Sequence, residues 1–194
     1  MDSRTKMMFM LVVCMCLLSS SGVAAALILG GEKNSVVATK AAIPVPVIKK
    51  YRYVRIYRDL PAVVDAGGHW MNPAEVEVFS GGVNVAAGKT VTGSSLHTTL
   101  NPHSFLVDGI MDNFAHTNNE AVEWFLIDLG EEYEIDSVAV TNRATSRPRM
   151  ENTKIQLSKT SDMTTSEDSR VITKEEAPSA SFTWTVASDT IVVA

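Results

Sequence analysis

Apolar and polar residues alternate with a period of two in several short stretches after residue 47. Such alternation is typical of strands with one buried face. In residues 51–58 it predicts that one side of a strand carries Tyr51, Tyr53, Arg55 and Tyr57, and the other Val54 and Ile56 with Arg52 and Arg58. Further strands are predicted within residues 75–79, 124–130, 135–141, 153–158, 171–173, 182–186 and 190–193. Because no later stretch has helical spacing, we expect an all-β antiparallel sandwich or barrel.

The N-terminal part of the chain has a different pattern. Residues 7–29 contain no charged side chain, and a helix of that length spans roughly 34 Å, enough for a bilayer core. An uncleaved anchor and a cleaved secretory signal both fit, since small residues at 21–26 could be cut. We favour the anchor because the apolar run continues past them. The predicted organisation is a transmembrane anchor over residues 1–29, a linker over 30–46 and a domain over 47–194.

Composition narrows the setting of this domain. The net charge of −5 argues against nucleic-acid binding, which normally needs a basic surface. Both cysteines, Cys14 and Cys16, lie in the apolar segment, so the domain has no disulfide. The chain also contains no Asn-x-Ser/Thr glycosylation site. These absences favour the cytosol, a virus or a bacterium over secretion.

Motifs of catalysis are missing from the sequence. It contains no G-x-S-x-G, phosphate-binding loop, H-E-x-x-H or C-x-x-C, and its four histidines are widely separated. We therefore do not expect an enzyme.

Five spaced motifs carry a resemblance to a known family. Residues 84–94 follow the pattern N-x-A-x-G-K-x-x-x-x-S. After it come, in order, Asp108-Gly109, the N-F-A-H-T of residues 113–117, the W-x-x-x-D-L-G of residues 124–130 and the I-x-x-V-x-x-x-N-R of residues 135–143. This order strongly resembles the discoidin, or coagulation factor 5/8 C-type, domain. The resemblance implies a jelly-roll sandwich of the galactose-binding-domain-like class.

The order of two other segments looks permuted. Residues 53–56 look like the family's usual C-terminal strand, and residues 72–79 look like the segment that normally follows it. Here both precede the Asn84 motif. A similar permuted form occurs in proteins of large DNA viruses of algae and protists. A truncated tandem array is the alternative.

The resemblance also implies a structural calcium ion. Asp108 and Asp112 are close in sequence and offer the hard oxygen ligands that calcium prefers. In the family such a loop is tied by calcium to a glutamate of the A-E-V-x-V segment, which implies the ligand set Asp108, Asp112, Thr117 and Glu75 with backbone carbonyls. The alternative is an Asp-Gly turn without metal.

A sugar site is less complete. Fucose-binding relatives use a histidine and then R-x-D-x-x-x-x-R, of which this chain keeps Arg143 but has Thr145 and Met150 at the other two positions. We therefore do not expect fucose recognition. The local basic loop still predicts contact with an anionic partner through Arg143, Arg147, Arg149 and His116. Alternatively, Arg143 hydrogen-bonds carbonyl groups at a strand end.

Two functions are consistent with these features. The first is a non-enzymatic structural protein of a large DNA virus, such as a minor capsid protein, held in the inner membrane of the virion by residues 7–29 and in contact with other capsid proteins. The alternative is a carbohydrate-binding, lectin-like module that is displayed on a cell surface or secreted.

Overall fold

The computed structural model describes residues 43–62 and 68–193, and the side chains of 47–62 and 68–188. The chain divides into two units, Val47–Asp189 and a second one whose described residues are 43–46 and 190–193. In the second unit, the described residues belong to a two-stranded sheet of β1 (Ile43–Val47) and β11 (Asp189–Val193). The last residues of the predicted linker are therefore in a strand.

The predicted transmembrane anchor over residues 1–29 lies outside the described residues. Within the described ranges, no helix is long and apolar enough to cross a membrane.

The unit Val47–Asp189 is an antiparallel sandwich of two sheets, which confirms the all-β prediction. The four-stranded sheet has the order β10 (Ser181–Thr185), β7 (Ser137–Asn142), β3 (Pro73–Ser80) and β4 (Val83–Asn84). The five-stranded sheet has the order β5 (Thr90–Gly93), β6 (Glu123–Tyr133), β2 (Tyr51–Arg58), β8 (Lys154–Ser158) and β9 (Asp168–Val171). Two short 3-10 helices, η1 (His103–Val107) and η2 (Arg147–Met150), lie in the connections.

The first strand of the sandwich, β2, is the central strand of its sheet. It pairs with β6 on one side and with β8 on the other, and all these pairings are antiparallel. Val54 and Ile56 are fully buried, as the alternation predicts. The central strand of the five-stranded sheet thus comes from the beginning of the domain.

The predicted sides of β2 are wrong at its first two residues. Tyr51 is 1% exposed and belongs to the core, whereas Arg52 forms a salt bridge with Asp128. The pairing with β6 is irregular between Tyr51 and Tyr53. Such a bulge shifts the alternation by one residue, so the side chains before it change faces.

Side chains from both sheets form one apolar core. The five-stranded sheet contributes Phe125, Ile127 and Ile155, and the four-stranded sheet contributes Val76 and Val138, all without exposed area. Phe125 also contacts the edge of the His103 ring, with centroids 5.6 Å apart. The core is therefore continuous with η1, which packs against β3 and β5.

Truncation of Phe125 tests the importance of this core. We expect Phe125→Ala to lower the free energy of unfolding by about 3–5 kcal/mol, because it removes buried apolar area and leaves a cavity. Val83→Ala is the matched control, since Val83 is 63% exposed and should change stability little. Urea unfolding followed by tryptophan fluorescence measures both. Equal effects of the two substitutions would contradict this description of the core.

Candidate functional site

Two arginines lie over aromatic rings where connecting segments meet. The guanidinium carbon of Arg143 is 4.0 Å from the centroid of the Phe114 ring, and that of Arg149 is 5.4 Å from a ring centroid of Trp70. Guanidinium groups are attracted to ring faces at such distances. We call Trp70, Phe114, His116, Arg143 and Arg149 the basic–aromatic cluster.

His116 lies inside this cluster. Its ring centroid is 4.4 Å from that of His97 and 5.9 Å from that of Phe114, and its Nδ1 is 2.8 Å from the Thr117 carbonyl oxygen. Burial lowers the pKa of His116, the hydrogen bond with the Thr117 carbonyl opposes this, and repulsion by His97, Arg143 and Arg149 lowers the pKa further. At neutral pH the imidazole is therefore uncharged, and the positive charge of the cluster is on its arginines.

Polar contacts fix the backbone beside Arg143, and a left-handed residue precedes the helix that carries Arg149. Arg143 follows Asn142, whose side-chain amide donates to the carbonyl oxygens of Ala177 (2.9 Å) and Ser179 (2.7 Å). Arg149 is in η2, which follows Ser146 in a left-handed conformation (φ 61°). These contacts set where the backbone leaves β7.

The fully buried Arg58 holds Trp70 in place. It donates to the carbonyl oxygens of Trp70 (2.8 Å) and Glu151 (3.0 Å) and to Thr153 Oγ1 (2.9 Å). These bonds join the end of β2 to the segment that contains Trp70 and to the segment of residues 151–153. A guanidinium group suits this role, because several donors extend from one planar group.

A second buried ionisable side chain, Glu123, holds together the segments of residues 94–95 and 118–120. Its carboxylate accepts hydrogen bonds from the hydroxyl groups of Ser94 and Ser95 and from the backbone N–H of Glu120 (2.9 Å). Ser95 Oγ in turn accepts from the N–H of Asn118 at 2.8 Å. The segments that carry His97 and His116 are therefore tied to the start of β6.

The structure thus brings together three of the four predicted ligand-binding residues, Arg143, Arg149 and His116. Arg147 makes no contact with them among the described interactions, and its Nε is buried without a hydrogen-bond partner. The sequence did not indicate Trp70, nor the contact of the Phe114 ring with Arg143. Trp70 lies in an irregular segment before β3, where no sequence pattern indicates a site.

The predicted calcium ligands are only partly brought together. Glu75 is 1% exposed, its Oε1 accepts from the N–H of Gly109 at 3.2 Å, and its Oε2 is buried without a hydrogen-bond partner. Asp108 is the neighbouring carboxylate, and its charge contributes to the pKa of Glu75. Glu75 and Asp108 therefore form one local site under the loop after η1.

The other two predicted ligands have different surroundings. Asp112 is exposed, and Thr117 Oγ1 accepts from Met71 N–H at 3.0 Å and donates to the Asn118 carbonyl at 3.2 Å. Among the described residues, no group of three or more His, Cys, Asp or Glu side chains could hold a metal. The free oxygen of Glu75 fits a cation, but backbone carbonyls would have to supply most other ligands.

Comparison with known proteins agrees with this architecture. A family model described as an F5/F8 type C, NedA-like galactose-binding domain matches residues 105–191. This match supports the discoidin-like family. No curated protein and no solved structure matches the chain significantly. The domain type indicates a protein- or carbohydrate-interaction module.

The matched region is not a complete sandwich. It begins inside η1 and leaves out β2, β3, β4 and β5. Because β2 is the central strand of one sheet and β3 pairs with β7 in the other, the unmatched residues are structurally part of the same domain.

The buried carboxyl of Glu75 should make stability depend on pH. Burial, helped by the charge of Asp108 and opposed by the N–H of Gly109, raises the pKa of Glu75 from 4.5 to about 7. The folded state then binds more protons than the unfolded state between these values. With a chelator present, we expect the free energy of unfolding to fall as pH rises from 4.5 to about 7, by about 2–3 kcal/mol at most.

Glu75→Gln is the control for this measurement, because it keeps the shape of the side chain and removes the titration. Urea unfolding at several pH values should show a flatter profile for this variant and higher stability than the wild type at pH 8. An identical pH profile in both proteins would show that Glu75 is not the titrating group.

Proposed function

We propose that the sandwich is a non-enzymatic binding module whose basic–aromatic cluster binds an acidic group on a saccharide. The observation that carries the proposal is the placement of Arg143 and Arg149 on the Phe114 and Trp70 rings around His116. In a chain of net charge −5, this concentrates positive charge in one place.

The chemistry of the cluster suits an oxyanion next to an apolar surface. The guanidinium carbon of Arg143 is 4.0 Å from the Phe114 ring centroid, and no described hydrogen bond uses its N–H donors. The donor fork of a guanidinium group matches the two oxygens of a carboxylate or sulfate. Among the described residues no carboxylate pairs with Arg143. The aromatic rings offer apolar area beside the charge. Together they support acidic rather than neutral sugars.

A glycan array with the purified full-length chain tests this proposal. We expect binding to saccharides that carry carboxylate or sulfate groups, and weaker binding to their neutral counterparts. Arg143→Gln and Arg149→Gln should each lower affinity about tenfold or more, because a charge-assisted hydrogen bond contributes roughly 1.5–3 kcal/mol.

The matched control is Lys174→Gln, which removes one positive charge from an exposed position. It should bind like the wild type. An array without reproducible binding, or binding that both arginine variants retain, would refute the acidic-saccharide proposal.

We further propose that Glu75 and Asp108, with backbone carbonyls, hold a structural calcium ion. The buried Oε2 of Glu75 without a hydrogen-bond partner supports this, since a cation would stabilise the charged carboxylate. The ion would fix the loop after η1 and would take no part in a reaction.

Thermal unfolding with calcium or with EDTA measures the metal. We expect calcium to raise Tm, because a ligand that binds only the folded state adds about 2.7 kcal/mol at 100 times its Kd. Glu75→Gln should remove the shift. Equal Tm values in calcium and EDTA for the wild type would mean that Glu75 is a buried neutral acid instead.

The location of the protein in a virion stays a prediction. A minor capsid or other virion component that is anchored in the inner membrane rests on the uncharged residues 7–29, the cysteine-free domain and the permuted motif order. Probing purified particles with an antibody to the sandwich, before and after detergent extraction, would test the location.

A further inference from the structure

The outward side of the five-stranded sheet carries an unusual set of residues. While Val54 and Ile56 point into the core, Tyr53, Arg55 and Tyr57 alternate with them on β2. Pairing places Tyr57 opposite Trp124 of β6, and Arg55 between Leu126 of β6 and Gln156 of β8. We call Tyr53, Arg55, Tyr57, Trp124, Leu126 and Gln156 the outer sheet face. It shares no residue with the basic–aromatic cluster.

Arg55 is at the centre of this face and is held in a defined geometry. Its guanidinium carbon is 4.5 Å from the centroid of the Tyr57 ring, and its Nε donates to Gln156 Oε1 at 2.8 Å. The side chain is half-buried. A preorganised side chain loses less conformational entropy when it binds a partner.

Arg55 differs from the neighbouring cations in its partners. Arg52 is paired with Asp128 (2.7 Å) and Lys154 with Asp59 (2.8 Å). The described contacts of Arg55 are to a neutral amide and an aromatic ring, and burial lowers the pKa of its guanidinium. A neutral amide does not balance a charge that has lost part of its solvation. Among the described contacts, Arg55 at the centre of the face therefore has no carboxylate to balance its charge.

We propose that the outer sheet face docks a protein partner that presents an aspartate or glutamate to Arg55, with apolar side chains around that carboxylate. Charge complementarity selects the carboxylate, because the remaining donors of a guanidinium can hold both of its oxygens. Tyrosine, tryptophan and arginine are the residues that dominate the binding energy of protein interfaces. Tyr53, Tyr57 and Trp124 surround Arg55 with such side chains.

A second copy of the chain does not meet this requirement. Two such faces stacked about a two-fold axis through their centres would bring one Arg55 against the other. Among the described strand pairs, Asp128 is the only carboxylate opposite a residue of the face, across from Tyr53, and it is already paired with Arg52. Two stacked copies of this face would therefore not supply the carboxylate, and the proposed occupant is a different protein.

Selection from a phage-displayed library of random linear peptides on the immobilised full-length chain tests this proposal. We expect enriched peptides to share an aspartate or glutamate flanked by leucine or aromatic residues. Synthetic versions should bind the wild type, and Arg55→Gln should weaken them at least about tenfold. Arg55→Lys should restore only part of the affinity, since lysine keeps the charge and loses the planar donor group.

Leu126→Glu provides a second test that does not depend on removing Arg55. Because Leu126 is directly opposite Arg55, the new carboxylate should pair with it within the sheet and exclude the peptide. Lys174→Gln and Arg143→Gln are the matched controls and should bind as the wild type does. Thermal unfolding of each variant verifies that it is folded.

Three results would overturn the proposal. The first is a selection without an acidic consensus, or with peptides that bind the Arg55→Gln variant equally well. The second is a saccharide on the glycan array whose binding is lost in Arg55→Gln and kept in Arg143→Gln, which would assign the face to sugars. The third is a dimer in sedimentation velocity that Leu126→Glu dissociates.

Discussion

The pairing of β2 between β6 and β8 is the constraint on which the rest of the sandwich depends. It brings Val54 and Ile56 into the core and, one residue out of phase, presents Tyr53, Arg55 and Tyr57 on the other side of the sheet. It also places Arg58, at the end of β2, within hydrogen-bond distance of the carbonyl oxygens of Trp70 and Glu151. One strand therefore supplies part of the core, the outer sheet face and the anchor of the basic–aromatic cluster.

The connections at the site are organised by buried polar side chains instead of apolar contacts. Arg58, Glu123 and Glu75 are all buried within or beside connecting segments. Arg58 and Glu123 each make several hydrogen bonds, and these bonds connect neighbouring loops to each other. Glu75 has one oxygen without a hydrogen-bond partner, and burial raises its pKa. This buried oxygen is the one that the proposed calcium ion would bind.

Much of the architecture could be predicted because strand alternation is a local property. The side assignment of Val54 and Ile56 follows from period two alone. It failed at Tyr51, because a bulge depends on the partner strand and leaves no trace in the residue pattern. In the same way, Arg143 could be named from its match to a motif and Arg149 and His116 from positions close to that motif, whereas Trp70 could not. Its carbonyl oxygen is held by a hydrogen bond from Arg58, which is 12 positions away.

The sequence by itself determined the all-β class, the approximate strands, the cysteine-free domain and the resemblance to discoidin-like domains. These depend on residue identity and short spacing, which a linear chain displays directly. Only the tertiary structure decided that β2 is central, that Arg147 does not join the other arginines, and that Glu75 is left with an unpaired buried oxygen. Such facts depend on which distant backbone donors and charges come within a few ångströms. The physical reason is that burial and hydrogen bonding are properties of the folded arrangement and are not encoded in local sequence.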